Sequence, residues 1–501
     1  MNAREPATAA EIGAPAPSEA AGGRWPLEPD GAEMRRLVAA ALDRLVPYIE
    51  SLPRQPAGDI GGAEEVAAAL RSPLPEQGRP FDELLDLLFA RAVPKSFNAP
   101  GPGYLAYIPG GGLFHAAVAD LLADGINRYT GVWQAAPALV QLEADAVRWF
   151  CEVVGYGPAA RGFLTSGGSL ANFGALVTAR RERLPPDFLR GVVYASDQVH
   201  HSLGKAAMLA GIPDDNVRAL PVDASFRLDP ATVAAAIAAD RARGLQPFLL
   251  VASAGTVNTG AVDDLRSLGE LAAREGLWFH VDGAYGGFFL LTARGREAMR
   301  GIERADSVTL DPHKGLFFPY GTGCLVVRDG AALERAHSLH ASYLPPRPPD
   351  DSDGPDGGWW DFAALSPELS RPFRGLRVWL ALQLLGMAPF RAALDEKLDL
   401  AQWAAGETAR IPHLQMIAPP QLSLFAFRLA PPGAGRTERD RLTRELLVRV
   451  NARQRVMLTG TDLADGYAGR VCVLNFRTHR ERMEMAVADL RAAAAELTGA
   501  G

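Results

Sequence analysis

From about residue 100 to residue 390 one pattern repeats along this chain: a short, nearly all-apolar run, then an amphipathic stretch long enough for a helix. The runs are Gly191–Ala195, Phe248–Ser253, Leu277–Val281, Ser307–Leu310 and Gly323–Arg328. A strand that is apolar on both faces must be covered on both faces, so the pattern predicts an α/β domain with a mostly parallel sheet between helical layers. In such sheets ligands bind beyond the carboxyl ends of the strands. With 501 residues the chain can bury a large core and hold further domains beside this one, which is expected over 101–390.

The flanks read differently. Residues 1–29 are rich in Ala, Pro, Gly and Glu, as in a disordered tail, and lack the apolar stretch of a signal peptide. Over 30–100, Asp30 can cap a helix carrying Met34, Leu37, Val38, Leu42, Leu45 and Ile49 at helical spacing, with a kink expected at Pro47. A second amphipathic stretch starts near Asp82. These apolar faces have no local core, so they are expected to pack on a partner subunit. Residues 345–358 have the composition of a loop, and Arg374–Leu385 reads as a helix. Over 391–501, strand-like Ser423–Leu429 and Arg470–Phe476 among helices predict a small α+β domain.

Bulk properties remove several functions. A net charge of -7 without a Lys/Arg cluster gives no support for nucleic-acid binding. No apolar run is long enough to span a membrane. Cys151, Cys324 and Cys472 are too few for a disulfide framework and lack metal-ligand spacing; they read as core residues of a reducing, cytoplasmic compartment.

Polar residues interrupt the apolar runs at two places. Lys314 lies in Ser-Val-Thr-Leu-Asp-Pro-His-Lys-Gly (307–315), and Asp282 in Leu-Trp-Phe-His-Val-Asp-Gly-Ala-Tyr-Gly (277–286). A buried ammonium needs a charge partner or a covalent task. A lysine for a Schiff base, a carboxylate to keep a pyridine nitrogen protonated and a nearby histidine such as His313 are the parts a pyridoxal phosphate site requires. Thr165-Ser-Gly-Gly-Ser-Leu-Ala-Asn172 precedes a helical run, Phe173 to Arg183, so Gly167, Gly168 and Ser169 can offer free N–H groups to a phosphate. His200 or His201, after the run ending at Ala195, can stack on a pyridine ring; spacing does not choose between them. Thr256 follows another strand end and can reach ring substituents.

Together these stretches resemble the group II pyridoxal phosphate-dependent amino-acid decarboxylases, the family of aromatic L-amino-acid, histidine and glutamate decarboxylases. The likeness also takes in Gly103–Pro109, Trp133–Pro137 with Leu142-Glu143, Ser366–Trp379 and Arg470–His479, and runs from about residue 30 to the C-terminus. It implies a fold-type I enzyme, a homodimer building each site from two subunits, that releases carbon dioxide from an amino acid. By matched position it implies that Lys314 carries the cofactor and Asp282 pairs with its ring nitrogen. Ala284 would lie under the ring and His200 above it. Gly168, Ser169, Ser307 and His313 would hold the phosphate, Arg374 would be structural, and Tyr343 would protonate the substrate α-carbon.

The substrate is expected to be aromatic. Tyr107, Ile108 and Pro109 match the family's substrate-side segment, while Tyr129 and Gly131 stand where aromatic decarboxylases carry a bulky aliphatic residue and a Phe. Gly131 thus removes a ring from the expected pocket wall, and Gly110-Gly-Gly112 puts backbone where larger side chains stand in those enzymes. Arg128 leaves a polar or acidic substrate open. Two other readings compete: an oxygen-dependent decarboxylation to an aldehyde, whose enzymes tend to carry Phe at the position of Tyr343, and an aminotransferase of the same fold.

Overall fold

Seven strands make the main sheet: β1 Arg161–Thr165, β2 Gly191–Ser196, β3 Val217–Leu220, β4 Gln246–Ser253, β5 Trp278–Gly283, β6 Ser307–Leu310 and β7 Gly323–Val327. Their order in this computed structural model is β1-β7-β6-β5-β4-β2-β3, and the residues described are 27–339, 342 and 359–499. Strands β3, β2, β4, β5 and β6 run parallel, while β7 is antiparallel to both β6 and β1. The connection from β6 to β7 holds only the four-residue helix Pro312–Gly315, too short to recross the sheet, so the chain returns in the opposite sense. The mostly parallel α/β sheet expected from the apolar runs is present.

Central strands β2, β5, β6 and β7 are buried along their whole length, which is why they lack polar alternation. Phe163, Phe248, Phe279, Phe288 and Phe289 fill the layers beside them, each contributing about 1.5–3 kcal/mol by burial. Two strands have no such run in the sequence. In β1, Arg161 and Gly162 break the apolar pattern, and β3 is a half-exposed edge. Two boundaries also move. Asp282 lies within β5 rather than past its end, because its pairing with β6 continues through Gly283. The helix after β1 is Gly168–Arg183, so it begins five residues before Phe173, inside the glycine segment itself.

A second sheet, β8 Leu414–Ala418, β9 Leu424–Leu429, β10 Thr459–Leu463 and β11 Gly466–Cys472, is wholly antiparallel in the order β10-β11-β9-β8. Phe425, Phe427, Leu446 and Met483 form its core with helices Arg436–Ala452 and Arg480–Thr498. The strand expected at Arg470–Phe476 lies earlier, as β11. Both sheets belong to one compact unit, Leu52–Asp59 with Phe97–Gly501.

The described residues of Met1–Ser51, with Ile60–Ser96, form a separate unit. Its main helix is Gly31–Ser51, capped by Asp30 Oδ1 accepting from the Glu33 N–H at 2.7 Å. The helix continues four residues past Pro47. It buries none of its side chains, and Met34, Val38, Leu42 and Val46 remain exposed along its apolar face.

Candidate active site

At the carboxyl edge of the main sheet lies a cavity of about 460 Å³. Lys314, Asp282 and His313 line it together with Gly167, Gly168 and Ser169. The strand ends bring these segments together: β1 leads to the glycines, β2 to His200, β4 to Thr256, β5 to Asp282 and β6 to Lys314. Residues up to about 150 positions apart in sequence thereby face one space.

Lys314 Nζ is 2.8 Å from Asp311 Oδ2. Burial disfavours the ammonium, but Asp311, with a smaller contribution from Asp282, outweighs it and raises the lysine above its ordinary value. The other oxygen of Asp311, Oδ1, is buried without a protein partner among the described residues. Nothing in the sequence motif singles out Asp311 as the lysine's partner. Its proximity depends on the turn between β6 and the short helix, which the sequence does not display.

Asp282 accepts hydrogen bonds at both oxygens, from Asn172 Nδ2 at 2.9 Å and from the Ala284 N–H at 3.1 Å. Ala284 itself lines the cavity. The structure separates the two candidate histidines: His200 lines the cavity, and His201 is exposed beside it with ring centroids 4.1 Å apart. Burial lowers the His200 pKa, with Asp282 partly opposing. Its Nδ1 accepts from the Ser202 N–H at 3.2 Å and lies 2.8 Å from Ser202 Oγ, which leaves the ring proton on Nε2.

The glycine segment presents a helix N-terminus to the cavity, an arrangement that could hold an anion. Gly168 and Ser169 open a 16-residue helix, whose first N–H groups have no intrahelical acceptor. A Cβ on Gly168 would stand 3.0 Å from Asp311 Oδ2 and 3.1 Å from the Ala284 Cβ, so a side chain would intrude on the cradle. His313 Nδ1 donates to the Thr322 carbonyl at 2.7 Å, leaving Nε2 for a ligand. Thr256 reaches the cavity wall while its hydroxyl also braces the turn to Thr259 and Ala261. Nearby, Gly255 adopts φ +100°, and a Cβ there would stand 2.6 Å from the Tyr285 ring.

Four expected positions lie elsewhere. Ser307 begins β6, at the end of the strand away from the cavity. Its hydroxyl accepts from Trp278 Nε1 and contacts His280 Nδ1, both at 2.8 Å, so it is not part of the phosphate cradle. Tyr107 and Ile108 line the cavity, but Pro109, though buried, does not. Tyr129 donates to the Leu369 carbonyl at 3.1 Å, outside the cavity wall. A Cβ on Gly131 would be 2.4 Å from that same carbonyl, so this glycine serves backbone packing and opens no pocket. Gly110 has a similar cause: a Cβ there would stand 2.8 Å from the Tyr320 ring. Arg374 is structural, forked onto Glu368 at 2.6 and 3.0 Å. Tyr343 lies outside the described residues.

The three cysteines are buried and unpaired, and burial pushes the thiols of Cys151 and Cys472 up to about 12. Among the described residues no cluster could hold a metal, and no helix is long and apolar enough to cross a membrane.

These residues fit pyridoxal phosphate: a lysine for its aldehyde, a carboxylate for its ring nitrogen, a flat imidazole and a helix N-terminus for its phosphate. Comparison with known proteins agrees. The family model described as the pyridoxal-dependent decarboxylase conserved domain matches residues 75–430. An aromatic-L-amino-acid decarboxylase of Bacillus atrophaeus is 33% identical, over 93% of this chain and 96% of its own. The Oryza sativa TDC solved with PLP and tryptamine superposes with a TM-score of 0.88 at 26% identity, covering 94% of this chain and 99% of that one. The 4-hydroxyphenylacetaldehyde synthase of Rhodiola rosea shares the fold, with a TM-score of 0.83 at 24% identity over 94% and 99%. The chain belongs to the pyridoxal-dependent decarboxylase family and is a fold-type I, pyridoxal phosphate-dependent amino-acid carboxy-lyase.

Proposed function

We propose that the protein converts an aromatic L-amino acid to its amine and carbon dioxide, with Lys314 as the covalent anchor of the cofactor. The chain has four lysines, Lys95, Lys205, Lys314 and Lys397, and only Lys314 lines the cavity that holds Asp282 and His200. That observation carries the site assignment. Tyr107 and Ile108 give the cavity an apolar wall, and no arginine is among its described lining residues to receive an acidic side chain. Both facts favour an aromatic substrate, as do relatives such as the Bacillus atrophaeus enzyme.

Bound pyridoxal phosphate supplies the electron sink that lets an amino acid lose carbon dioxide. This chain's residues set the conditions for it. Asp282 would accept a hydrogen bond from the ring nitrogen and hold a proton there. His200 and Ala284, which both line the cavity, would border the ring, and Gly167, Gly168 and Ser169 would take the phosphate with His313. Asp311, 2.8 Å from Lys314 Nζ, pairs with the lysine's ammonium while the amine is free. Tyr343 is proposed, on the family resemblance, to return a proton to the α-carbon.

The enzyme is further proposed to be a cytoplasmic homodimer. The exposed apolar face of helix Gly31–Ser51 supports a second copy as its cover, and Tyr107, 52% exposed on the cavity wall, supports a site completed by that copy. Borohydride reduction of the holoenzyme followed by peptide mapping should label Lys314, and a label on another lysine refutes the anchor. Sedimentation should show a dimer, and a fully active monomer contradicts it.

A further inference from the structure

On the cavity wall, one buried amide joins the groups on which the ring-binding reading rests. Asn172 is 2% exposed, on the first turns of helix Gly168–Arg183. Its Nδ2 donates twice: to Asp282 Oδ2 at 2.9 Å and to Ser202 Oγ at 3.0 Å. Its Oδ1 accepts from Thr309 Oγ1 at 2.7 Å and contacts His280 Nε2 at 3.1 Å. All four hydrogen-bonding positions of the amide are used, so it cannot flip without setting donors against donors.

Proton positions follow around the network. Asn172 Oδ1 is an acceptor, so His280 Nε2, 3.1 Å away, carries a proton and donates to it. Burial keeps the His280 ring neutral, so its Nδ1 accepts from the Ser307 hydroxyl, whose oxygen also accepts from Trp278 Nε1. Ser202 Oγ accepts from Asn172, so its own proton is directed to His200 Nδ1. The Ser202 N–H sets the tautomer of His200, and Asn172 orients the Ser202 hydroxyl that donates to the same ring nitrogen; Asn172 also holds one oxygen of the Asp282 carboxylate, the other being held by the Ala284 N–H.

We propose that Asn172 is a positioning residue for cofactor binding and catalysis. Its two N–H groups hold the ring-nitrogen partner Asp282 and the ring-covering His200 in register with each other. This rests on the reading of Asp282 and His200 as ring partners. Hydrogen bonds to charged groups inside a protein are strong, and losing one leaves the carboxylate short of a buried donor.

The test compares Asn172→Ala, Ser202→Ala and Asp282→Ala with wild type. Measured quantities are the affinity of each apoenzyme for pyridoxal phosphate, the pH titration of the bound cofactor's absorbance, and kcat and KM separately. Asn172→Ala should bind the cofactor about ten- to a hundred-fold more weakly, with a displaced pH titration. Its kcat should fall more than its KM changes. Ser202→Ala, which breaks only the His200 arm, should show a smaller loss of affinity. Wild-type affinity and an unmoved titration in Asn172→Ala, beside a clear loss in Asp282→Ala, overturn the role of Asn172 alone. Wild-type behaviour in Asp282→Ala overturns the underlying reading of the ring site. Should Asn172→Ala fail to fold, Asn172→Ser keeps a hydroxyl in the same space that reaches one acceptor at a time. A displaced titration there supports the proposal, and wild-type behaviour overturns it.

Discussion

Lys314 Nζ and Asp311 Oδ2 stand 2.8 Å apart on the cavity wall, three residues apart across the turn that leaves β6. The pairing favours the ammonium, yet a lysine must lose a proton before it attacks an aldehyde. Removing the carboxylate leaves burial unopposed by its largest counterweight and lowers the lysine pKa. In Asp311→Asn the pH midpoint for reconstituting apoenzyme with pyridoxal phosphate should therefore move down. Stopped-flow absorbance across pH measures it. A midpoint that stays or rises shows that Asp311 does not govern the amine.

Gly168 is tested sterically. In Gly168→Ala the new Cβ meets Asp311 Oδ2 and the Ala284 Cβ at 3.0 and 3.1 Å, both in the cavity wall. Overpacking of this kind costs about 1–3 kcal/mol. The crowding is present without cofactor, so the melting temperature of the apoenzyme should fall, and pyridoxal phosphate affinity should fall as well because the same side chain narrows the space for the phosphate. Equilibrium titration of the variant checks this, and unchanged affinity moves the anion elsewhere.

The reach of the sequence follows from how the site is built. Lys314 and Asp282 were legible because a charge that interrupts an apolar strand is costly unless it has work to do. The glycine segment was legible as an anion site only beside Asp282 and Lys314, since Gly-Gly-Ser before a helix also serves as an ordinary turn and cap. Asn172, Ser202 and His280 were not, since strand order alone brings residues 30 to 110 positions apart into contact. Ser307 was assigned to the phosphate by resemblance, although it sits at the far end of its strand. Gly131 and Gly110 looked like openings in a pocket, but their missing side chains make room for the Leu369 carbonyl and the Tyr320 ring. Such close approaches leave no signal in a single sequence.

Tyr343 is the predicted arbiter of the product. Replacement by Phe keeps the ring and removes the hydroxyl proton. A positioned general acid contributes about 10²–10⁴-fold, so amine formation in Tyr343→Phe should fall within that range while cofactor binding survives. Product analysis in air, wild type against variant, should show amine from the former and reduced amine, with aldehyde and hydrogen peroxide, from the latter. Normal amine production by the variant, or stoichiometric aldehyde from wild type, removes Tyr343 from the role.

His280 gives the acid limit of stability. Burial holds its pKa down at about 4, with Asp282 partly opposing, against an ordinary 6.5. Below pH 6.5 the unfolded chain therefore binds a proton that the folded chain refuses. Stability present above pH 6.5 is lost as the pH falls from 6.5 towards 4, by an amount on the order of 3 kcal/mol. His280→Gln cannot titrate, so the difference in unfolding free energy between wild type and variant should change across that window and be flat above it. Urea unfolding of the two apoenzymes from pH 4 to 8 measures the difference. Parallel curves throughout would mean that His280 takes up its proton in the fold as readily as in the unfolded chain, and below pH 6.5 its Nδ1 could then not accept from Ser307, nor could the proton order around Asn172 hold there.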